Sequence, residues 1–249
     1  MKSNISRRDF LKGSAMGALG LAAAGLVSPV SAMAEEKKEA FEKTVNWDAE
    51  YDAVVIGFGG AGASVAITAA DAGAKVLLLE KAPEGKAGGN SVICMQWICG
   101  TSDKAETVKY IKALRGKYTT PSDEMIELYV DGMAENFDWI KSLGAEDPQY
   151  FNYCEFPELE GSSSFTPFTV AGNTGMSATA FGGDGAAYHL LKDNVNKRDN
   201  ITVWYEAEAS RLIQDGETKI VHCVTVKIDG REVNVRAKNA VVLACGGFE

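Results

Sequence analysis

The sequence predicts an α/β fold that combines a parallel sheet with a β-meander and a helical insertion. Residues 51–56 form an apolar, β-branched run that is typical of a buried strand. Small residues at 61–72 then predict a helix, and a second apolar run at 75–79 completes a βαβ unit. Alternating apolar and polar residues between 211 and 237 predict the meander.

The N-terminus carries a predicted export signal at residues 1–34, followed by a linker at 35–50. The run Ser6-Arg7-Arg8-Asp9-Phe10-Leu11-Lys12 resembles a twin-arginine signal, and Ala32-Met33-Ala34 has the A-x-A pattern of a cleavage site. The alternative is an anchor helix, but the intervening run is rich in Gly and Ala, whereas a membrane span needs about 20 strongly apolar residues. We expect export by the twin-arginine route to the periplasm or cell envelope.

Composition argues against several kinds of partner. The formal net charge of −9 disfavours nucleic acid, so we expect no such partner. The five cysteines are an odd number without CxxC or CxxCH spacing, which argues against a zinc site and a c-type haem. The two histidines, His189 and His222, fit packed or surface positions better than a site. We therefore expect no metal.

The helical insertion begins with two predicted helices, at 104–118 and 122–142. The second is expected to have Thr120 as N-cap, Pro121 as first helical residue and Gly144 after its end. Its apolar residues at helical spacing predict an inward face, made of Met125, Leu128, Met133, Phe137 and Ile140.

The second half of the chain returns to strands. We expect long loops over 147–183 and a helix over 184–197. The predicted strands that follow are 201–205, 211–213, 222–228, 232–237 and 240–244, with Asp229-Gly230 as a hairpin turn. Because the chain stops five residues after the last of these, we expect residues 51–249 to be the N-terminal part of a domain in a longer protein.

Gly57-Phe58-Gly59-Gly60-Ala61-Gly62 matches G-x-G-x-x-G between the first predicted strand and its helix. Glu80 lies 18 residues beyond Gly62, at the end of the second strand, where dinucleotide-binding Rossmann-like domains place an acid. The helix N-terminus offers N–H groups to a diphosphate, and Glu80 can accept the ribose hydroxyls. A strand-turn-helix without a ligand is the alternative.

The spacing of the strands favours FAD over NAD. More than about a hundred residues separate Glu80 from the next parallel strand, whereas NAD-binding domains return promptly to a third strand. An insertion of this size is typical of flavoproteins.

Glu80-Lys81-Ala82-Pro83-Glu84, followed by Gly88-Gly89-Asn90-Ser91, resembles the FAD-binding domain of the soluble fumarate reductase family, within the succinate dehydrogenase and fumarate reductase flavoprotein superfamily. Residues 137–144, 182–185 and 240–248 extend the resemblance. Two departures occur: Cys245 replaces the usual threonine, and Met95-Gln96 replaces a glycine pair of many relatives.

The resemblance implies a set of FAD contacts. It places residues 88–91 against the flavin and diphosphate, Ala209 against adenine, and residues 244–246 along the cofactor. The candidate cofactor-binding residues are Gly57, Gly59, Gly60, Ala61, Gly62, Glu80, Lys81, Gly88, Gly89, Asn90, Ser91, Ala209, Ala244, Cys245 and Gly246. Relatives with covalent FAD use a His-Thr pair where Asn90-Ser91 stands, so non-covalent FAD is expected.

The resemblance also implies a reaction: hydride transfer from reduced flavin N5 to an activated C=C bond of a small carboxylate, similar to fumarate or urocanate. The catalytic acid and substrate-binding residues are expected beyond Glu249, and a separate cytochrome or flavoprotein is expected to donate electrons. The alternatives are a ketosteroid dehydrogenase-type flavoenzyme and a non-catalytic flavin-binding fragment; the chain alone is expected to be inactive.

Overall fold

The computed structural model describes residues 41, 43–146, 148–150, 153–170 and 185–247. The predicted signal therefore lies outside the described residues. The helices are α1 Gly60–Asp71, α2 Asn90–Ile93, α3 Lys104–Arg115, α4 Asp123–Ser142 and α5 Ala186–Asn196. The strands are β1 Ala49–Ile56, β2 Val76–Leu79, β3 Gln149–Tyr150, β4 Phe168–Thr169, β5 Ile201–Trp204, β6 Glu208–Gln214, β7 Val221–Ile228 and β8 Arg231–Leu243.

The chain divides into two compact units. Residues up to Gly89 and from Lys192 onward form the first unit, and residues 90–191 form the second. The first unit contains a six-stranded sheet in the order β5-β2-β1-β8-β7-β6. The pairs β2–β5, β1–β2 and β1–β8 are parallel, whereas β6–β7 and β7–β8 are antiparallel. This confirms the predicted α/β fold with a mainly parallel sheet and a meander.

The central strands form the core of the first unit. Val54 and Val55 in β1 and all of β2 are buried, which explains why both strands are continuous apolar runs. Helix α1 has small buried residues, including Ala63 and Ala66, and these allow close packing. Burial of each Val or Leu stabilises the fold by about 1.5–3 kcal/mol.

Strand β8 corrects one prediction. The segments 232–237 and 240–244 were expected as separate strands, but 231–243 is one continuous strand. Its first half pairs with β7 up to Arg236, and its second half pairs with β1 from Val235 onward. Exposed Lys238 and Asn239 lie at an irregularity of the β1–β8 pairing, between Ala237 and Ala240, so their polarity does not mark a break in the strand.

The predicted hairpin turn at Asp229-Gly230 is confirmed. Both residues have positive φ, +50° and +71° respectively. Left-handed backbone at both central positions characterises a type I′ turn, which matches the twist of the flanking strands.

In the second unit, helix α4 begins later than predicted. Ser122 is the N-cap, since its Oγ accepts a hydrogen bond from the N–H of Met125 at 3.3 Å. Thr120 as N-cap and Pro121 as first helical residue are therefore wrong. Gly144, with φ +99°, follows the helix end as expected.

The buried face of α4 also differs from the prediction. Met125 and Leu128 are 56% and 60% exposed. Ile126 and Val130 are buried instead, and they continue with Met133 and Ile140 in one stripe. Met125 lies about 100° of helical rotation away from this stripe, and Leu128 lies about 160° away.

The remaining part of the insertion has little regular structure. Where loops were expected over 147–183, the described residues contain the two-residue strands β3 and β4 and a 3-10 turn at Ser162–Ser164. The predicted helix at 184–197 is confirmed as α5, while Asp184 lies outside the described residues. Within the described part of the chain, no helix is both long and apolar enough to cross a bilayer.

Candidate cofactor site

The glycine-rich turn lies at the carboxyl edge of the parallel sheet. The N–H of Gly57 donates to the Leu79 carbonyl at 2.8 Å, and the N–H of Ala244 donates to the Ile56 carbonyl at 2.8 Å. These bonds continue the β1–β2 and β1–β8 pairing beyond the strands. The turn is thus fixed between the ends of β2 and β8, at the edge where sheets of this type bind ligands.

Two positions in the turn require glycine. Gly57 has φ +102°, and a Cβ added there would lie 2.5 Å from the Ala244 carbonyl oxygen. A Cβ on Gly62 would collide with the Gly57 carbonyl. Strand end, turn and helix therefore approach one another closely only because both residues lack side chains.

Helix α1 presents its N-terminus from this turn. Its N-cap, Gly59, has an extended backbone and no side chain to cap the helix. Gly60, Ala61 and Gly62 form the first turn, whose amides point out of the helix end and carry the positive end of the helix dipole. The arrangement fits the diphosphate of a dinucleotide.

The Glu80 carboxylate is buried beside the turn. Its Oε2 accepts a hydrogen bond from the Phe58 N–H at 3.1 Å, and its Oε1 accepts one from the Ala82 N–H at 2.8 Å. Each carboxylate oxygen retains capacity for a second donor. The group can therefore brace the turn and also accept ribose hydroxyls; the bracing was not foreseen from sequence.

The backbone at Glu80 is held by the segment that follows β5. Its N–H donates to the Trp204 carbonyl and its carbonyl accepts from the Ala207 N–H, both at 2.9 Å. Ala209, the predicted adenine contact, lies two residues farther along, in β6. The main chain of the first unit thus connects Ala209 to the site through a short, hydrogen-bonded segment.

An aromatic pair beside Glu80 was not predicted. The rings of Phe58 and Tyr205 stack with centroids 6.2 Å apart and planes at 30°. Burial, reinforced by the charges of Glu84 and Glu80, raises the pKa of Tyr205 to about 12. The phenol is therefore neutral at physiological pH. No sequence motif pairs these two residues.

The remaining predicted residues are distributed over both units. In the first unit, Lys81 is exposed beyond β2, and Gly88 and Gly89 have φ of +117° and +51°. Asn90 and Ser91 open the short helix α2 of the second unit.

The residues after β8 complete the first unit's part of the site. Ala244 lies against Gly57, the Cys245 thiol is exposed, and Gly246 has φ +85°. All five cysteines are free.

The two histidines occupy the kinds of position that the sequence favoured. His189 is exposed on α5, and His222 is buried in β7, with its ring 5.0 Å from that of Phe41. Among the described residues, no group of histidine, cysteine and carboxylate side chains could hold a metal ion.

Two family models match the chain. The model described as "FAD binding domain" covers residues 52–249. The model for the twin-arginine translocation pathway signal sequence covers residues 4–27. The second match confirms the predicted export route to the periplasm or cell envelope.

Three relatives are reductases. Digoxin reductase of Eggerthella lenta is 25% identical over all of this chain and 47% of its own length. Fumarate reductase (cytochrome) of Shewanella frigidimarina is 26% identical over 79% of this chain and 33% of its own length. Urocanate reductase of Eggerthella lenta is 28% identical over 80% of this chain and 32% of its own length.

A solved structure is also similar. 3-Ketosteroid-Δ4-(5α)-dehydrogenase of Rhodococcus jostii, in complex with 4-androstene-3,17-dione, superposes with a TM-score of 0.63 and 26% identity, over 81% of this chain and 47% of that chain. The present chain thus spans less than half the length of each of these four proteins.

Proposed function

Since the chain belongs to the FAD binding domain family, we propose that it carries the dinucleotide-binding part of an exported FAD-dependent oxidoreductase. The observation that carries the proposal is the placement of Glu80 beside the glycine-capped N-terminus of α1, at the carboxyl edge of the sheet. In the proposed organisation, residues 1–34 are the signal, 35–50 the linker and 51–249 the N-terminal portion of the FAD-binding domain.

Different residues are proposed to contact different parts of the FAD. Amides of the first turn of α1, from Gly60 to Gly62, bind the diphosphate, and Glu80 accepts the ribose hydroxyls. Ala209 contacts adenine through its backbone. The other proposed contacts are Gly57, Gly59, Lys81, Gly88, Gly89, Asn90, Ser91, Ala244, Cys245 and Gly246. Bound FAD would supply hydride chemistry, which no side chain of the chain can provide.

The FAD is proposed to be non-covalent. Support comes from Asn90 and Ser91, which open α2 where covalent relatives have a His-Thr pair. Acid precipitation of the purified full-length protein should release the yellow chromophore into the supernatant. Chromophore that remains with the denatured protein would contradict this attachment, and peptide mapping would then identify the linked residue.

The proposed substrate is a small carboxylate with an activated C=C bond. The reductases of fumarate and urocanate among the relatives support this class. Electrons are proposed to come from a separate cytochrome or flavoprotein. The test is anaerobic reduction of the full-length protein, followed by fumarate, urocanate and related enoates, with flavin absorbance near 450 nm as the readout. If no enoate reoxidises the flavin, the substrate proposal is wrong.

A ketosteroid is the second candidate substrate. It is favoured by the similarity to the 3-ketosteroid dehydrogenase structure. The same assay separates the candidates when 3-ketosteroids replace the enoates. They are added to the oxidised protein together with an electron acceptor, to test steroid oxidation, and to the reduced protein alone, to test steroid reduction. Turnover of steroids alone would select this candidate. A full-length protein that binds FAD but turns over neither class would contradict both substrate proposals and would favour the non-catalytic flavoprotein.

A further inference from the structure

Gln96 occupies an unusual position in the second unit. It follows α2 in the chain, its side chain is 1% exposed, and its φ is +60°. This left-handed conformation is strained for a residue with a Cβ, so it persists only where the surroundings stabilise it. The contacts of the side-chain amide provide that stabilisation.

The amide nitrogen of Gln96 binds carbonyl groups at the end of α2. Nε2 donates to the Ser91 carbonyl at 2.8 Å and to the Cys94 carbonyl at 2.9 Å, and it lies 3.3 Å from the Val92 carbonyl. A four-residue helix leaves its last carbonyls without intrahelical donors. Gln96 therefore acts as a C-terminal cap made by a side chain.

The amide oxygen of Gln96 binds a different helix. Oε1 accepts a hydrogen bond from the Ala187 N–H at 3.2 Å, in the first turn of α5. The amide orientation is fixed because carbonyl oxygens surround one end and an N–H faces the other. Of the common side chains of this length, only glutamine supplies donors and an acceptor in this arrangement.

We propose that Gln96 is a positioning residue that sets the segment 90–94, which carries the proposed FAD contacts Asn90 and Ser91, by linking it to the start of α5. The inference rests on the proposed function, in which Asn90 and Ser91 contact FAD. Ser91 provides the direct connection, because its carbonyl is held by Gln96 while the residue itself belongs to the proposed contact set. A role limited to core packing would instead need only the volume of the side chain.

The test compares isosteric acid variants of two amides in the full-length protein. Gln96→Glu keeps the shape but places an oxygen against the carbonyls of Ser91 and Cys94. Asn136→Asp is the matched control. Asn136 lies in α4, and its Nδ2 also donates to a main-chain carbonyl, that of Cys99 at 2.9 Å. The measurements are the FAD dissociation constant, the visible flavin spectrum and the melting temperature of the apoprotein.

We expect Gln96→Glu to weaken FAD binding about tenfold and to alter the flavin spectrum, since the carbonyls of Ser91 and Cys94 lose their donor and face an oxygen instead. Asn136→Asp should lower the melting temperature and leave both flavin properties unchanged. If Gln96→Glu does not fold, Gln96→Met takes its place, because methionine keeps the length and volume of the side chain but lacks the amide.

Two outcomes would overturn the inference. A folded Gln96 variant that binds FAD with wild-type affinity and spectrum would show a role in stability alone. If the wild-type full-length protein takes up no FAD, the proposed function fails and this inference fails with it. The two failures are therefore distinguished by the wild-type protein.

Discussion

The Glu80 carboxylate accepts a hydrogen bond from the Phe58 main-chain N–H across 22 residues of sequence. This bond joins the end of β2 to the second residue of the glycine-rich turn. A charge-assisted hydrogen bond to a buried carboxylate contributes about 1.5–3 kcal/mol. Glu80 thus shapes the turn itself, in addition to its proposed contact with ribose.

The first prediction concerns Glu80→Gln. The side-chain amide of glutamine would direct its own N–H groups toward one of the two main-chain N–H groups that donate to Glu80. The substitution would also remove the negative charge at the proposed ribose contact. We expect FAD affinity to fall about 10- to 100-fold, corresponding to about 1.5–3 kcal/mol. Fluorescence titration of the apo full-length protein with FAD measures the change.

Glu106→Gln is the control for this variant. Glu106 is a carboxylate on α3 that pairs with Lys109 at the surface. The FAD affinity of the Glu106→Gln protein should equal that of the wild type. Equal affinities for Glu80→Gln and Glu106→Gln would remove Glu80 from the proposed site.

The second prediction concerns Gly62→Ala. The added methyl group would collide with the Gly57 carbonyl, which belongs to main chain and cannot rotate away. We expect a loss of about 3 kcal/mol or more in the free energy of unfolding, together with loss of FAD binding. Urea denaturation measures the first effect. Gly216→Ala, where a Cβ meets no atom within 4 Å, should change stability by less than about 0.5 kcal/mol.

The elements around this turn could be predicted because their signals are local. The buried run of β1, the glycine spacing and the acid at the end of β2 are adjacent in sequence, and the first strand, helix and second strand were located within two residues. The type I′ turn at Asp229-Gly230 is a dipeptide signal of the same kind.

The missed features depend on contacts that sequence spacing does not encode. Lys238 lies in the gap between the predicted strands 232–237 and 240–244, yet it remains in β8, and its Nζ lies 2.9 Å from Glu50 Oε1 of β1. Likewise, the contact of Gln96 with Ala187 joins residues 91 positions apart. Polar side chains that make tertiary contacts carry no periodic signal, so they become visible only in the structure.

The third prediction concerns the reactivity of the cysteines. Cys94 and Cys245 are exposed, whereas Cys223 is buried in β7, where burial raises its pKa to about 12. Alkylation requires an accessible thiolate. A short iodoacetamide pulse followed by peptide mass spectrometry should label the first two residues and leave Cys223 unmodified until urea is added. FAD should slow the labelling of Cys245, and a rate unaffected by FAD would argue against its proposed place beside the cofactor.

The fourth prediction concerns the signal. The family model for the twin-arginine signal covers residues 4–27, which include Arg7 and Arg8. Replacing both with lysine keeps the charge but removes the recognised pair. We expect the precursor to accumulate in the cytoplasm, as measured by cell fractionation and immunoblotting. Lys2→Arg, which preserves the pair, should be exported normally; export of the double variant at the wild-type rate would contradict the assignment.

The fifth prediction concerns acid stability and Glu50. Hydrogen bonds from Lys238 and Arg236 hold the pKa of this carboxyl below its ordinary value of 4.5, despite the opposing effect of burial. A lowered pKa in the folded state means that the ion pairs stabilise fully above about pH 4.5 and lose their effect as the pH falls through the folded-state value.

Because the side chains are partly exposed, Glu50→Gln should lower the free energy of unfolding by less than about 1 kcal/mol at pH 7. Urea denaturation from pH 7 to pH 3 should show this difference shrinking on the acid side. Glu232→Gln, which makes the same substitution at an exposed position of β8, is the matched control variant. A difference for Glu50→Gln that stays constant over the whole range would mean that the effect comes from packing, since only the charge of Glu50 is removed by protonation.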